Sequence, residues 1–135
     1  MSNPKELYVR FGFIGALVLV AAHSSTANAE ALRWKCAYAS MASPKGLVGE
    51  KFALEFAFDT VTGSAVIIGN AGMSNVDAFS GSIGITFQEK LASGAIQTTT
   101  ITLNGSSVHS RHTMMSIDEG KLTPSQYYGR CESVR

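Results

Sequence analysis

The chain is short of most of what would give its chemistry away. Among its 135 residues there are only two cysteines, Cys36 and Cys131, and neither has another Cys or a His within four residues. That spacing argues against a zinc site, whose ligands come in close pairs, and it lacks the C-x-x-C of a redox couple. No G-x-S-x-G elbow is present: Ser80 sits in Phe79-Ser80-Gly81-Ser82 with a glycine on one side only. The glycines of Gly69-Asn70-Ala71-Gly72 are followed by no Lys-Ser/Thr and open no helix, so they do not make a phosphate loop. Glu55 and Asp59 flank a strand end and Asp118-Glu119 read as turn residues, so no carboxylate pair is set up for glycoside chemistry. Basic clusters, low-complexity tracts and internal repeats are missing as well. No cofactor and no resident metal is expected, no catalytic constellation is assembled, and the enzyme question leans to no.

Long apolar runs are also scarce, and the one present is informative. Phe11 to Ala22 is unbroken, preceded by Lys5 and Arg10 and followed by His23-Ser24-Ser25-Thr26 and then Ala27-Asn28-Ala29. A basic head, a 12-residue apolar stretch and an A-x-A site form the layout of a secretory signal peptide. A membrane-spanning helix needs about 20 apolar residues. There is no Cys at the cut for lipid attachment and no paired arginines for the twin-arginine route. The reading is export to the periplasm or beyond, with cleavage after Ala29 and residues 30–135 forming one domain.

The 106 residues left after removal of 1–29 carry 9 basic and 9 acidic side chains. A neutral chain has no electrostatic footprint for nucleic acid or for an anionic membrane surface. Neither partner is expected, nor is stable membrane insertion after cleavage. In an oxidising compartment an even pair of cysteines forms a disulfide. Cys36–Cys131 would close most of the domain into one loop, a staple between first and last strands.

What is present in quantity is alternation. Leu32, Trp34, Cys36 and Tyr38 share one face of a segment ending near Ser40, with Arg33 and Lys35 on the other. Period two marks a half-buried strand. Lys51 to Asp59 is the clearest case: Phe52, Leu54, Phe56 and Phe58 alternate with Ala53, Glu55 and Ala57. With Trp34, these four make the candidate interior apolar face. Ala65 to Ile68 is a third strand, Val76 to Phe79 a weaker fourth, and Ile83, Ile85 and Phe87 mark a fifth. Ala95 to Leu103 is dense in β-branched residues, which favour strand over helix. Asn104-Gly105 is a hairpin signal suited to a type I′ turn, so Ser106 to Met115 pairs back antiparallel. After Asp118-Glu119-Gly120, Gln126 to Glu132 returns Cys131 toward Cys36. Some eight short strands at this spacing predict an all-β fold. A small antiparallel up-and-down β-barrel closed by the disulfide is preferred, because a barrel removes exposed edges, and a β-sandwich is the second choice. At this size the barrel interior is filled by its own side chains or holds one small apolar ligand.

Three places remain for binding chemistry. His109 and Arg111 share a strand face, with His112 on the other, so the histidines cannot chelate one ion together; the pair is a candidate anion contact at the surface, or simply a solvated face. In Tyr127-Tyr128, one ring packs under the disulfide and Tyr128 faces solvent as a candidate partner contact. Ser80 is the third. Trp34-Lys35-Cys36 near the start and Tyr127-Tyr128-Gly129-Arg130-Cys131 near the end resemble small exported proteins of Gram-negative bacteria. The plan of a small β domain with a cysteine near each end is also similar to periplasmic inhibitors of C-type lysozyme. That resemblance implies that Ser80-Gly81 and the strand after it enter an enzyme's cleft. Ile83 stands where the family has an aromatic residue, and no Trp-rich strand follows. The sequence thus points to a non-enzymatic binding module of the bacterial envelope. Lysozyme-inhibitor-like activity and carriage of a small apolar ligand are the alternatives.

Overall fold

A computed structural model describes residues 31–115 and 121–135. The expected signal peptide and its cleavage point, and the turn at Asp118-Glu119-Gly120, lie outside the described residues. Eight strands follow one another: β1 (Ala31–Ser43), β2 (Gly46–Asp59), β3 (Ala65–Gly69), β4 (Gly72–Ser80), β5 (Gly84–Lys90), β6 (Ile96–Thr102), β7 (Ser106–Met115) and β8 (Lys121–Val134). Each pairs antiparallel with the next, and β1 pairs with β8, closing an up-and-down barrel. Closure gives every strand two neighbours, which leaves no edge to shield. The sandwich alternative is set aside.

All eight expected strands are present, with β1, β2, β4 and β8 longer than expected. Two local details differ. Ile83 belongs to the turn before β5 and is 77% exposed, so it does not extend the Ile85–Phe87 face. Asn104-Gly105 does turn the chain, but as part of a three-residue connection: the Gly105 amide donates to the Thr102 carbonyl at 2.9 Å, and Gly105 takes φ +84°. That is a turn ending in a left-handed glycine, an alternative hairpin solution to the two-residue type I′ form.

The disulfide joins residues in direct register across the seam, Cys36 opposite Cys131. The β1 register slips between Tyr38 and Ser40, against both neighbours. A bulge of this kind bends a strand and increases its twist, which a small barrel needs in order to close. Across from the slip stands Gly129, paired with Tyr38, where a Cβ would collide with the Ala37 carbonyl oxygen. The seam closes tightly because that residue has no side chain.

Inside, side chains arrange in tiers. The connections fall alternately at two ends: those of β1–β2, β3–β4 and β5–β6, with the facing ends of β7 and β8, lie at one end, the hairpin end. The β2–β3, β4–β5 and β6–β7 connections share the other, the seam end, with the outer ends of β1 and β8. In the middle Phe56 stacks on Phe87, centroids 4.5 Å apart, and Trp34 meets Phe87 edge-on at 5.7 Å from the seam side. Toward the hairpin end a second aromatic tier contains Tyr38, Phe52, His109 and Tyr127, with Phe52 4.9 Å from Tyr38 and 4.8 Å from Tyr127. The predicted interior face, Trp34, Phe52, Leu54, Phe56 and Phe58, all belongs to this core. The space bounded by Phe56, Ile67, Phe87, Thr99 and His109 leaves no room for a water molecule. Between the two alternatives for the midsection, filled wins.

Candidate functional site

The four sequence-nominated binding residues are dispersed. Ser80 ends β4 at the seam end and is exposed, beside a concavity of about 220 Å³ that it shares with Trp34, Phe58, Ile85 and Leu103. Tyr128 faces outward at 39% exposure, its hydroxyl donating to Gln126 Oε1 at 2.9 Å, while Tyr127 is buried as expected. His112 faces outward too. His109 does not lie on the surface: it is 2% exposed and points into the barrel. Arg111, two residues on, shares that inward face.

The reason is register. β6 and β7 pair Thr99 with His109 and Ile101 with Ser107. Ile101 is a core residue, so Thr99 must be inward as well, and its partner His109 with it. Thr99 Oγ1 and His109 Nδ1 are 2.7 Å apart. Burial disfavours the imidazolium, and the Arg111 charge adds to the effect, holding the His109 pKa down at about 4 from an ordinary 6.5. The ring is therefore neutral at pH 7. With Thr99 also 2% exposed, the pair is an interior hydrogen bond sealed from solvent. A second such bond joins the Tyr38 hydroxyl to Ser107 Oγ at 2.9 Å. Burial raises the Tyr38 pKa, against a smaller lowering from Ser107. Among the described residues, no three His, Cys, Asp or Glu side chains converge as a metal-holding group.

Past this tier the interior opens, and Arg111 stands at the opening. Its guanidinium carbon lies 5.7 Å from the centre of the Tyr127 ring, and Nη1 donates to the Tyr127 hydroxyl over a long 3.4 Å. Nε is buried with no hydrogen-bond partner. No carboxylate among the described residues forms an ion pair with it; the two ion pairs there are Lys35–Glu55 and Lys90–Asp77, both on the outer surface.

Arg111 borders two concavities. One, about 290 Å³, runs toward the β3–β4 turn past Leu54, Gln97 and Glu89. The larger, about 750 Å³, is a cleft between the β1–β2 and β7–β8 hairpins. Lys45 and Lys121 stand at its rim, Met41 and Tyr127 line its inner wall, and Leu122 flanks it. No Asp or Glu lines it among the described residues.

No protein-family model, curated protein or solved structure matches this chain.

The site therefore has to be read from its own geometry. Sequence reasoning found Arg111 but not Lys45, Lys121, Met41 or Leu122. They fall in two stretches far apart along the chain, Met41 with Lys45 and Lys121 with Leu122, and only a closed up-and-down order brings the first and last hairpins side by side at one end. Their joint signal was the topology itself.

Proposed function

We propose that this protein is an exported, non-enzymatic binding module that works through the ends of its barrel. The observation that carries this reading is the filled midsection. A ligand carrier of the enclosed kind needs a hollow centre, whereas here Phe56, Phe87, Ile101, Thr99 and His109 occupy it. What remains concave lies at the two ends. Export is supported by the N-terminal sequence pattern, and the Cys36–Cys131 bond is compatible with an oxidising compartment. The outward side chains of the strands include Arg33, Lys35, Lys51, Asp77, Lys90, Arg130 and Glu132, all exposed. A barrel spanning lipid carries an apolar band outside and polar groups within, the reverse of this arrangement.

Native mass spectrometry of the unreduced protein from a periplasmic extract tests the reading. A mass matching residues 30–135 less two hydrogens, together with a bound protein or small molecule, supports it. A full-length mass with the apolar N-terminal stretch retained would sink the export half. A bare protein that captures nothing from the envelope would sink the binding half.

A second reading has its own observation. Phe79 and Ile83 flank Ser80-Gly81-Ser82 and are 57% and 77% exposed, so the β4–β5 turn presents apolar side chains outward at the seam end. A projecting loop of this kind suits insertion into an enzyme cleft, as the resemblance to lysozyme inhibitors implies. Inhibition of a C-type lysozyme at micromolar protein, lost in Ser80→Trp, is the expected result; no inhibition by the native protein dismisses it.

A further inference from the structure

Three features offer chemistry for a finer reading: the apolar rim of the seam end, the buried Thr99–His109 pair, and the cationic cleft of the hairpin end. The rim offers exposed Ile83 and Leu103 but nothing that specifies a covering group. Thr99 and His109 satisfy each other and are each 2% exposed, which leaves a ligand little to hold. The cleft is different, because charge, unmet hydrogen bonding and shape agree there.

We propose that the hairpin-end cleft binds a small anionic amphiphile, a single-chain carboxylic acid, with its carboxylate on Arg111. This deepens the binding-module reading and rests on it. Arg111 is the innermost of three cations on a cleft wall that holds no acid among the described residues. A guanidinium presents donors in a fixed fork that matches a carboxylate edge. Here that fork is under-used: Nε has no acceptor, and Nη1 has only a long contact to Tyr127. Leaving a buried donor unmet is costly, and an incoming carboxylate offers acceptors to a guanidinium that has few. Glu89 borders the smaller neighbouring concavity and forms no ion pair with Arg111, so no acid among the described residues already fills this role.

The rest of the cleft fits the rest of such a molecule. Met41, Tyr127 and Pro44 offer apolar contact beside the guanidinium, and Leu122, 54% exposed, continues it outward. Met adapts its shape to irregular apolar chains. Lys45 and Lys121 at the rim are exposed cations whose field draws an anion inward and is screened by salt. About 750 Å³ lies within the range of small-molecule sites.

The test titrates decanoate, below its micelle concentration, into isotope-labelled, disulfide-intact protein while amide shifts are followed by NMR. Saturable shifts centred on Met41, Arg111, Leu122 and Tyr127 are expected, with 1-decanol and inorganic phosphate each binding at least about tenfold more weakly. Arg111→Gln should weaken decanoate about tenfold or more. If that variant fails to fold, Lys45→Gln/Lys121→Gln on the exposed rim replaces it, with a several-fold loss and a flatter salt dependence expected. Absence of saturable shifts overturns the proposal, as does decanol binding as tightly as decanoate. Equal binding of phosphate removes its apolar half and overturns it too. So does unchanged affinity in a folded Arg111→Gln, or in the double lysine variant when that one is used. Should decanoate fail while a protein partner is still captured, the binding-module reading stands and only this inference falls.

Discussion

The two ends of the barrel are built from the same eight strands and could hardly differ more. At the seam end the interior row runs out through Trp34, Phe58 and Ile85 to an apolar rim, and its concavity of about 220 Å³ has no charged residue in its lining among the described residues. At the hairpin end the same inward row runs out through Tyr127 and Met41 to three cations. Between them lies a midsection packed without space for water. Alternation along a strand decides only which residues face in. What an inward residue meets depends on its height, and a filled middle separates the two openings into independent sites.

The strongest way to break this comparison is to open the seam. Replacing both cysteines by serine removes a cross-link spanning 95 residues, which on the chain-entropy model stabilises by about 4–5 kcal/mol. Urea denaturation should show a loss of that order. Hydrogen exchange should rise more around Trp34 and Glu132, near the bond, than around Met41 and Tyr127. Equal loosening of both ends would mean that they are not independent.

Emptying the partition comes next. Phe87→Ala deletes the ring that touches both Phe56 and Trp34 and should cost about 3–5 kcal/mol. If the centre collapses only partly, a small apolar probe such as xenon should enter the variant and not the native barrel.

Acid should act from the hairpin side. The His109 pKa is about 4 when folded and 6.5 when exposed, so the unfolded chain binds the extra proton first. Stability is then fully present above pH 6.5, falls as pH drops from 6.5 toward 4, and levels off below. The total is up to about 3 kcal/mol from this group. Thermal melts across that range should show the slope in the native protein and a much shallower one in His109→Asn. An unchanged slope would assign the acid sensitivity to other groups.

The smallest effect sharpens the contrast rather than breaking it. Ile83→Ser on the seam-end turn should change stability by under about 0.5 kcal/mol, because the side chain is mostly in water already. It should leave decanoate binding at the far end untouched. A shift in that binding would show that the two ends communicate.

Much of this architecture is legible in the sequence. Phe52 to Phe58 declared its buried face, and the β-branched run from Ile96 to Ile101 declared a strand. The two cysteines, one near each end of the domain, foretold the closure. His109 was misplaced for a specific reason: parity said that it shared a face with Arg111 but not that this face was inward. Ser107, His109 and Arg111 look no more apolar than Val108, Ser110 and His112. The missing step was to carry the inwardness of Ile101 across the Asn104-Gly105 hairpin, where register places Thr99 opposite His109. The cleft was less legible still. Lys45 and Lys121 lie in separate hairpins, and their nearness exists only once β1 and β8 are joined.

That joining has a topological consequence. Because Cys36 and Cys131 are bonded across adjacent strands, everything from one to the other is a covalent macrocycle, and a single cut in any of the seven strand-to-strand connections leaves the chain in one piece. A protease that severs a single exposed turn adds one water to the mass but releases no fragment, and the severed ends stay held by strand pairing on both sides. In a compartment where proteases are encountered, the molecule can survive as a nicked ring; two cuts, or one cut and a reductant, are needed to take it apart.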